Sequence, residues 1–88
     1  MKQDETLLEF PCDFPLKIMG ARRDDFAQTI IAIILRHFPD FDPATTTMRP
    51  SAQGNYLGLT CVVQATSKRQ LDDAYRELSA HPMVKFVL

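Results

Sequence analysis

The side chains in this sequence with chemistry to offer are two cysteines, two histidines, one arginine pair beside a glycine, and two pairs of adjacent aspartates. The segment Met19–Asp25 (MGARRDD) holds Gly20, Ala21, Arg22 and Arg23 ahead of a helical stretch. Helix-start amides, a glycine permitting close backbone approach and two guanidinium groups are the parts of a carboxylate or phosphate site. Asp24 and Asp25 partly cancel that charge, so the same residues also read as a solvated turn. Cys12 and Cys61 form no CxxC and have no histidine at metal spacing. Cys61 falls in an apolar strand, where a thiol is packing material, and Cys12 has no activating base beside it. His37 and His81 each close a helical pattern, where an imidazole complements the carbonyl end of the dipole. Zinc would need three converging ligands, which this spacing does not provide. Asp24 with Asp25, and Asp72 with Asp73, are neighbours on helices and point about 100° apart, so neither pair can face a substrate as acid and base. The expectation is a non-enzymatic chain with no catalytic residues, no metal and no cofactor.

The elements that must position these residues follow from composition and period. With 88 residues, 45% hydrophobic and 24% charged, the chain supports one small domain and one core. Ten basic against eleven acidic residues do not make a general phosphate-backbone binder. Phe26–Leu35 is far shorter than the roughly 20 residues of a membrane span. Asp4, Glu5 and Glu9 stand where a secretory signal needs basic and then apolar residues. A cytoplasmic location is expected.

Residues 1–13 read as an N-terminal arm whose Leu7, Leu8 and Phe10 dock on the body or on a second subunit. Residues 14–88 form the domain. Phe14–Ala21 alternates, with Phe14, Leu16 and Ile18 inward. Asp24 is the expected N-cap of a helix whose stripe is Phe26, Ile30, Ile33, Ile34 and Phe38, stopped by Pro39. Pro39–Pro43 reads as a loop. A threonine-rich strand follows within Ala44–Ala52, confined to an edge by Pro50. After a turn at Ser51–Asn55, Tyr56–Ala65 is a strand with Leu57, Leu59, Cys61, Val63 and Ala65 on one side. Ser67 and Gln70 make a capping box for a second helix with Leu71, Ala74, Tyr75 and Leu78 inward. In the last strand, Met83–Leu88, Val84, Phe86 and Leu88 are expected to share one side.

Strand, helix, strand, strand, helix, strand specifies an α+β, ferredoxin-like βαββαβ two-layer sandwich, a four-stranded antiparallel sheet with two helices on one face. The expected covered face carries Leu16, Ile18, Leu57, Leu59, Cys61, Val63, Val84 and Phe86. Lys17, Met19, Tyr56, Thr60, Val62, Gln64 and Lys85 fall on the uncovered face, a candidate interaction surface.

Phe10–Gly20 (FPCDFPLKIMG), Pro50–Tyr56 (PSAQGNY) and Met83–Leu88 (MVKFVL) resemble the UPF0250/DUF493 (YbeD-like) family of small bacterial proteins. Its most specific part is Lys17, Met19 and Gly20 together with Ser51, Gly54, Asn55 and Tyr56. Cys12 and the PDFDP loop depart from the pattern. The resemblance implies a fold similar to ACT regulatory domains, brings no catalytic residues, and hints at lipoate metabolism through gene neighbourhood. ACT-like ligands sit near the first strand-to-helix turn, here Met19–Arg23. The leading expectation is therefore a regulatory domain sensing a small anionic metabolite. The alternative is a protein-interaction module acting by self-association, as a homodimer, or on a protein partner. RNA binding ranks below both, because the uncovered face has Tyr56 as its one aromatic and base stacking needs several.

Overall fold

Strict alternation in Tyr56–Ala65 dictates a strand with one wet and one dry side, and this strand lies in the middle of the sheet. The computed structural model describes residues 9–88. Its elements are β1 (Cys12–Ala21), α1 (Phe26–His37), β2 (Thr47–Pro50), β3 (Tyr56–Ala65), α2 (Lys68–Ala80) and β4 (Val84–Val87), with a short 3-10 turn at Pro43–Thr45. The strand order is β2-β3-β1-β4, and all neighbours are antiparallel. Both helices lie on the same face, giving the expected ferredoxin-like sandwich. Neither is long and apolar enough to cross a membrane.

The core is the set the two periods select. Leu16 and Ile18 of β1 and Leu59, Cys61, Val63 and Ala65 of β3 are buried against Phe26, Ile30, Ile33 and Ile34 of α1 and Leu71, Ala74 and Leu78 of α2. Phe38 and Phe41 close one end, so the loop after α1 contributes a core residue that its Pro and Asp content concealed. The Ser67 hydroxyl accepts from the Gln70 amide at 3.1 Å, as the capping box requires. The Gln70 side chain instead accepts from the Thr66 amide and donates to the His37 carbonyl, tying α2 to the end of α1.

Four expectations need correction. β1 starts at Cys12 rather than Phe14: Cys12 and Asp13 pair with Ala65 and Gln64, so the sheet begins inside the span read as an arm. Phe10 packs against the core, while Leu7 and Leu8 lie outside the described residues. Asp25, not Asp24, occupies the N-cap of α1, and its side chain makes no capping bond. β2 is only four residues long, because Thr45 is taken into the 3-10 turn that Asp42 caps through the Ala44 amide. In β4, Phe86 lies on the uncovered face, Leu88 joins it there, and Val87 packs against the core. Ile18 pairs with Val87 and Met19 with Phe86, but Gly20 pairs with Val84, so Lys85 is the extra residue of a bulge that reverses the alternation.

Between the helices, Glu77 joins His37 Nε2 at 2.7 Å and also pairs with Arg36. The bond from His37, aided by the Arg36 charge, holds the Glu77 carboxyl below its ordinary value. A depressed carboxyl stabilises the fold above the unfolded group's pKa, and that contribution is lost as pH falls through the folded one. Glu77→Gln should cost about 0.5–1 kcal/mol at pH 7, as partly exposed ion pairs do. In urea titrations the difference from wild type should shrink as pH falls below the ordinary glutamate value and vanish only once the depressed, folded-state carboxyl is itself protonated.

Candidate functional site

The two sets of candidate residues lie at one end of β1 and across the uncovered face. At the β1–α1 turn, Gly20 is buried, and the space beside its Cα is filled. A side-chain Cβ there would stand 2.3 Å from both the Met83 carbonyl oxygen and Phe26 Cε1. Glycine is required here by packing between β1, the start of α1 and the approach to β4. Arg22 is tied to the β2–β3 turn: its amide donates to the Asn55 carbonyl at 3.2 Å, and its guanidinium reaches the Gly54 carbonyl at 3.5 Å. Gly54 has φ +77°, the left-handed conformation that lets this turn close. Arg23 pairs with Asp25 at 3.3 Å. Ala21 is exposed and ends the strand, and Met19 points away from this turn, toward the uncovered face. The structure therefore keeps Gly20, Ala21, Arg22 and Arg23 together in sequence but does not converge them on one vacant space.

The uncovered face does converge. Lys17 pairs with Thr60, Met19 with Gly58 and Ala21 with Tyr56, so one row of alternate residues looks outward from both central strands. Thr47 and Arg49 of β2 extend this row opposite Thr60 and Gly58. Phe86 extends it opposite Met19. Between them lies a groove of about 770 Å³ whose walls include Lys17, Met19, Thr47, Met48, Arg49, Thr60, Phe86 and Leu88. Phe86 is 44% exposed and Leu88 67%, a large apolar fraction for a surface with no covering layer among the described residues. Lys17 and Arg49 are the charged side chains of the groove, and no Asp or Glu side chain lines it among the described residues. Lys85, on the bulge, places its ammonium 5.4 Å from the centre of the Tyr56 ring, a cation–π contact at the margin. Val62 and Gln64 continue the face toward the far end of β3, both exposed.

Sequence reasoning missed Phe86, Leu88, Thr47 and Arg49 as members of this surface. Arg49 was findable, because it stands in the same strand pattern that placed Pro50 at an edge. Phe86 and Leu88 were not, since alternation carries no sign of an inserted residue. Elsewhere, burial pushes the Cys61 thiol up. That makes Cys61 a packing residue and a poor nucleophile. The Tyr75 hydroxyl donates to the Leu88 carbonyl at 2.9 Å, and partial burial raises its pKa.

A four-stranded antiparallel sheet with both helices on one side and a groove on the other defines an ACT-like member of the ferredoxin-like folds. Solved structures agree on this architecture. Protein HP0495 from H. pylori superposes with a TM-score of 0.74 at 10% identity, covering 92% of this chain and 85% of that one. The ACT domain from GTP pyrophosphokinase of Chlorobium tepidum gives 0.65 at 17% identity, covering 86% and 84%. In sequence, residues 5–88 match the family described as protein of unknown function, DUF493. A UPF0250 protein of Bordetella pertussis is 55% identical over 85 residues, 97% of this chain and 93% of its own length. A UPF0250 protein of Ralstonia nicotianae is 56% identical over 84 residues, 96% of this chain and 87% of its own. The chain belongs to the UPF0250/DUF493 family.

Proposed function

We propose that this protein is a non-enzymatic regulatory domain that binds a small amphipathic anion in the groove of its uncovered sheet face. The observation that carries this reading is the lining itself: Lys17 and Arg49 supply cationic donors, while Met19, Phe86 and Leu88 supply apolar walls. A carboxylate on an aliphatic chain satisfies both halves, with its charge on the arginine fork or the lysine and its chain over Met19 and Phe86. The volume lies within the ordinary range for small-molecule sites. The Arg22–Arg23 turn is a weaker home for the anion, because Arg22 is engaged with the Gly54 carbonyl and Arg23 with Asp25. The ACT domain among the structural neighbours fits a regulatory role, and the family resemblance to proteins near lipoate metabolism makes lipoate a natural probe.

The test is calorimetric titration with hexanoate, octanoate, decanoate and lipoate. Affinity should rise with chain length, by at most about fourfold per buried methylene. It should fall at least tenfold for Lys17→Gln with Arg49→Gln, and the matching alcohols should bind more weakly. Equal affinity for acids and alcohols, or no binding, would overturn the reading.

A second reading has its own support. Val62 is 48% exposed and sits on the same face as Phe86, which suits self-association. Sedimentation equilibrium at micromolar concentration separates the two readings: a dimer abolished by Phe86→Asp favours association, and a monomer at all concentrations removes it.

A further inference from the structure

The sheet has an unpaired stretch of backbone beyond the end of β2, flanked by the Pro43–Thr45 turn that packs against β3. The Ser51 amide donates to the Tyr56 carbonyl, so Tyr56, Gly58 and Thr60 direct their backbone polar groups toward β2. Alternation continues that direction to Val62 and Gln64. In the β2–β3 register, their partners would be Thr45 and Pro43, but these residues are wound into the 3-10 turn. No described residue bonds the backbone of Val62 or Gln64 on this side. The other outer edges carry devices that block strand addition. β1 turns Pro15 outward, since Lys17 exchanges both backbone bonds with Leu88 on that side. β2 turns Pro50 outward, and β4 carries a bulge with Lys85. The Val62–Gln64 edge has no proline, lysine or bulge.

A groove of about 500 Å³ runs along this edge, walled by Phe38, Phe41, Val62 and Gln64 and rimmed by Asp13 and Asp40, with Asp42 nearby. No described basic residue lines it. Asp42 is occupied in capping the 3-10 turn, whereas Asp13 and Asp40 have no ion pair or hydrogen bond among the described residues. The geometry points to an added strand: we propose that the Val62–Gln64 edge receives an extended, basic peptide segment of another protein. The backbone of that segment bonds Val62 and Gln64, and its lysine or arginine side chains meet Asp13 and Asp40. This site is separate from the anion groove, whose lining shares no residue with it.

The test is an NMR titration of the 15N-labelled full chain with a blocked hexapeptide of alternating valine and lysine. Saturable binding should shift the Val62 and Gln64 amides and slow their exchange. N-methylating one alternate set of peptide amides should weaken binding at least tenfold, while methylating the other set should leave it unchanged. A valine–glutamate peptide, or the Asp13→Asn, Asp40→Asn variant, should also weaken binding at least tenfold. Gln64→Pro removes the outward donor without touching the bonds to β1; if that variant does not fold, the methylated peptides still decide the matter. Absence of saturable binding at millimolar peptide, equal binding of the glutamate peptide, equal effects of both methylation patterns, or shifts centred on Lys17 and Phe86 would each overturn the proposal.

Discussion

Gly20→Ala should destabilise the domain by about 3 kcal/mol in urea unfolding, the upper range for overpacking a tight core position. The added methyl would lie 2.3 Å from the Met83 oxygen and 2.3 Å from Phe26 Cε1, distances that no rotamer choice relieves. The ring can move only by disturbing the first turn of α1, where Phe26 is fully buried. The Met83 oxygen can move only by shifting the lead-in to β4. A domain of this size holds roughly 5–10 kcal/mol in total, so the loss would be a large fraction of it. Gly58→Ala is the control. There the new methyl would meet nothing nearer than Met19 Cε at 3.4 Å, an ordinary contact, and the cost should stay below about 1 kcal/mol. Equal losses at the two positions would show that chain flexibility, not space, sets the requirement at Gly20.

Phe26→Ala should cost about 3–5 kcal/mol, the range for deleting a buried aromatic ring. Phe26 is the first residue of α1 and the largest of the fully buried side chains, seated between Gly20 and the apolar stripe of its own helix. Its loss would open a cavity where β1, α1 and the turn into β4 meet, and three elements cannot collapse on it together. The two substitutions should be coupled. In a Phe26→Ala background, Gly20→Ala should cost less than in the wild type, because one of its two obstacles has gone while the Met83 oxygen remains. Strict additivity in the double-mutant cycle would mean that ring and glycine do not share the space assigned to them.

Much of this architecture is written in local pattern, and the exceptions have physical causes. β3 was legible from Tyr56 to Ala65 because ten alternating residues with one dry side admit a single register. α1 and α2 were legible because their stripes repeat at helical spacing and end at Pro39 and His81-Pro82. The start of β1 was hidden, since Cys12 and Asp13 join the sheet through pairing with Ala65 and Gln64, a partnership no local window contains. Phe41 was hidden because its neighbours are turn residues, although the ring itself is buried. The candidate site divides in the same way. Lys17, Met19, Thr60 and Val62 were placed on the uncovered face by alternation alone. The ties of Arg22 to the 51–55 turn and of Arg23 to Asp25 depend on tertiary approach and rotamer, which composition does not encode.

The supernumerary residue in the last strand separates two properties that a plain ladder would bind together. Excising Lys85 would leave Val84, Phe86 and Val87 opposite Gly20, Met19 and Ile18, so the outer wall would keep its phenylalanine. What such a shortened chain would lose is the irregularity and the charge that keep this border from templating further strands. Ironing the strand flat at its present length would do the reverse, sending Phe86 inward and Val87 to the water. One residue thus lets the molecule show an oily wall to a ligand while denying neighbouring copies a straight seam on which to stack.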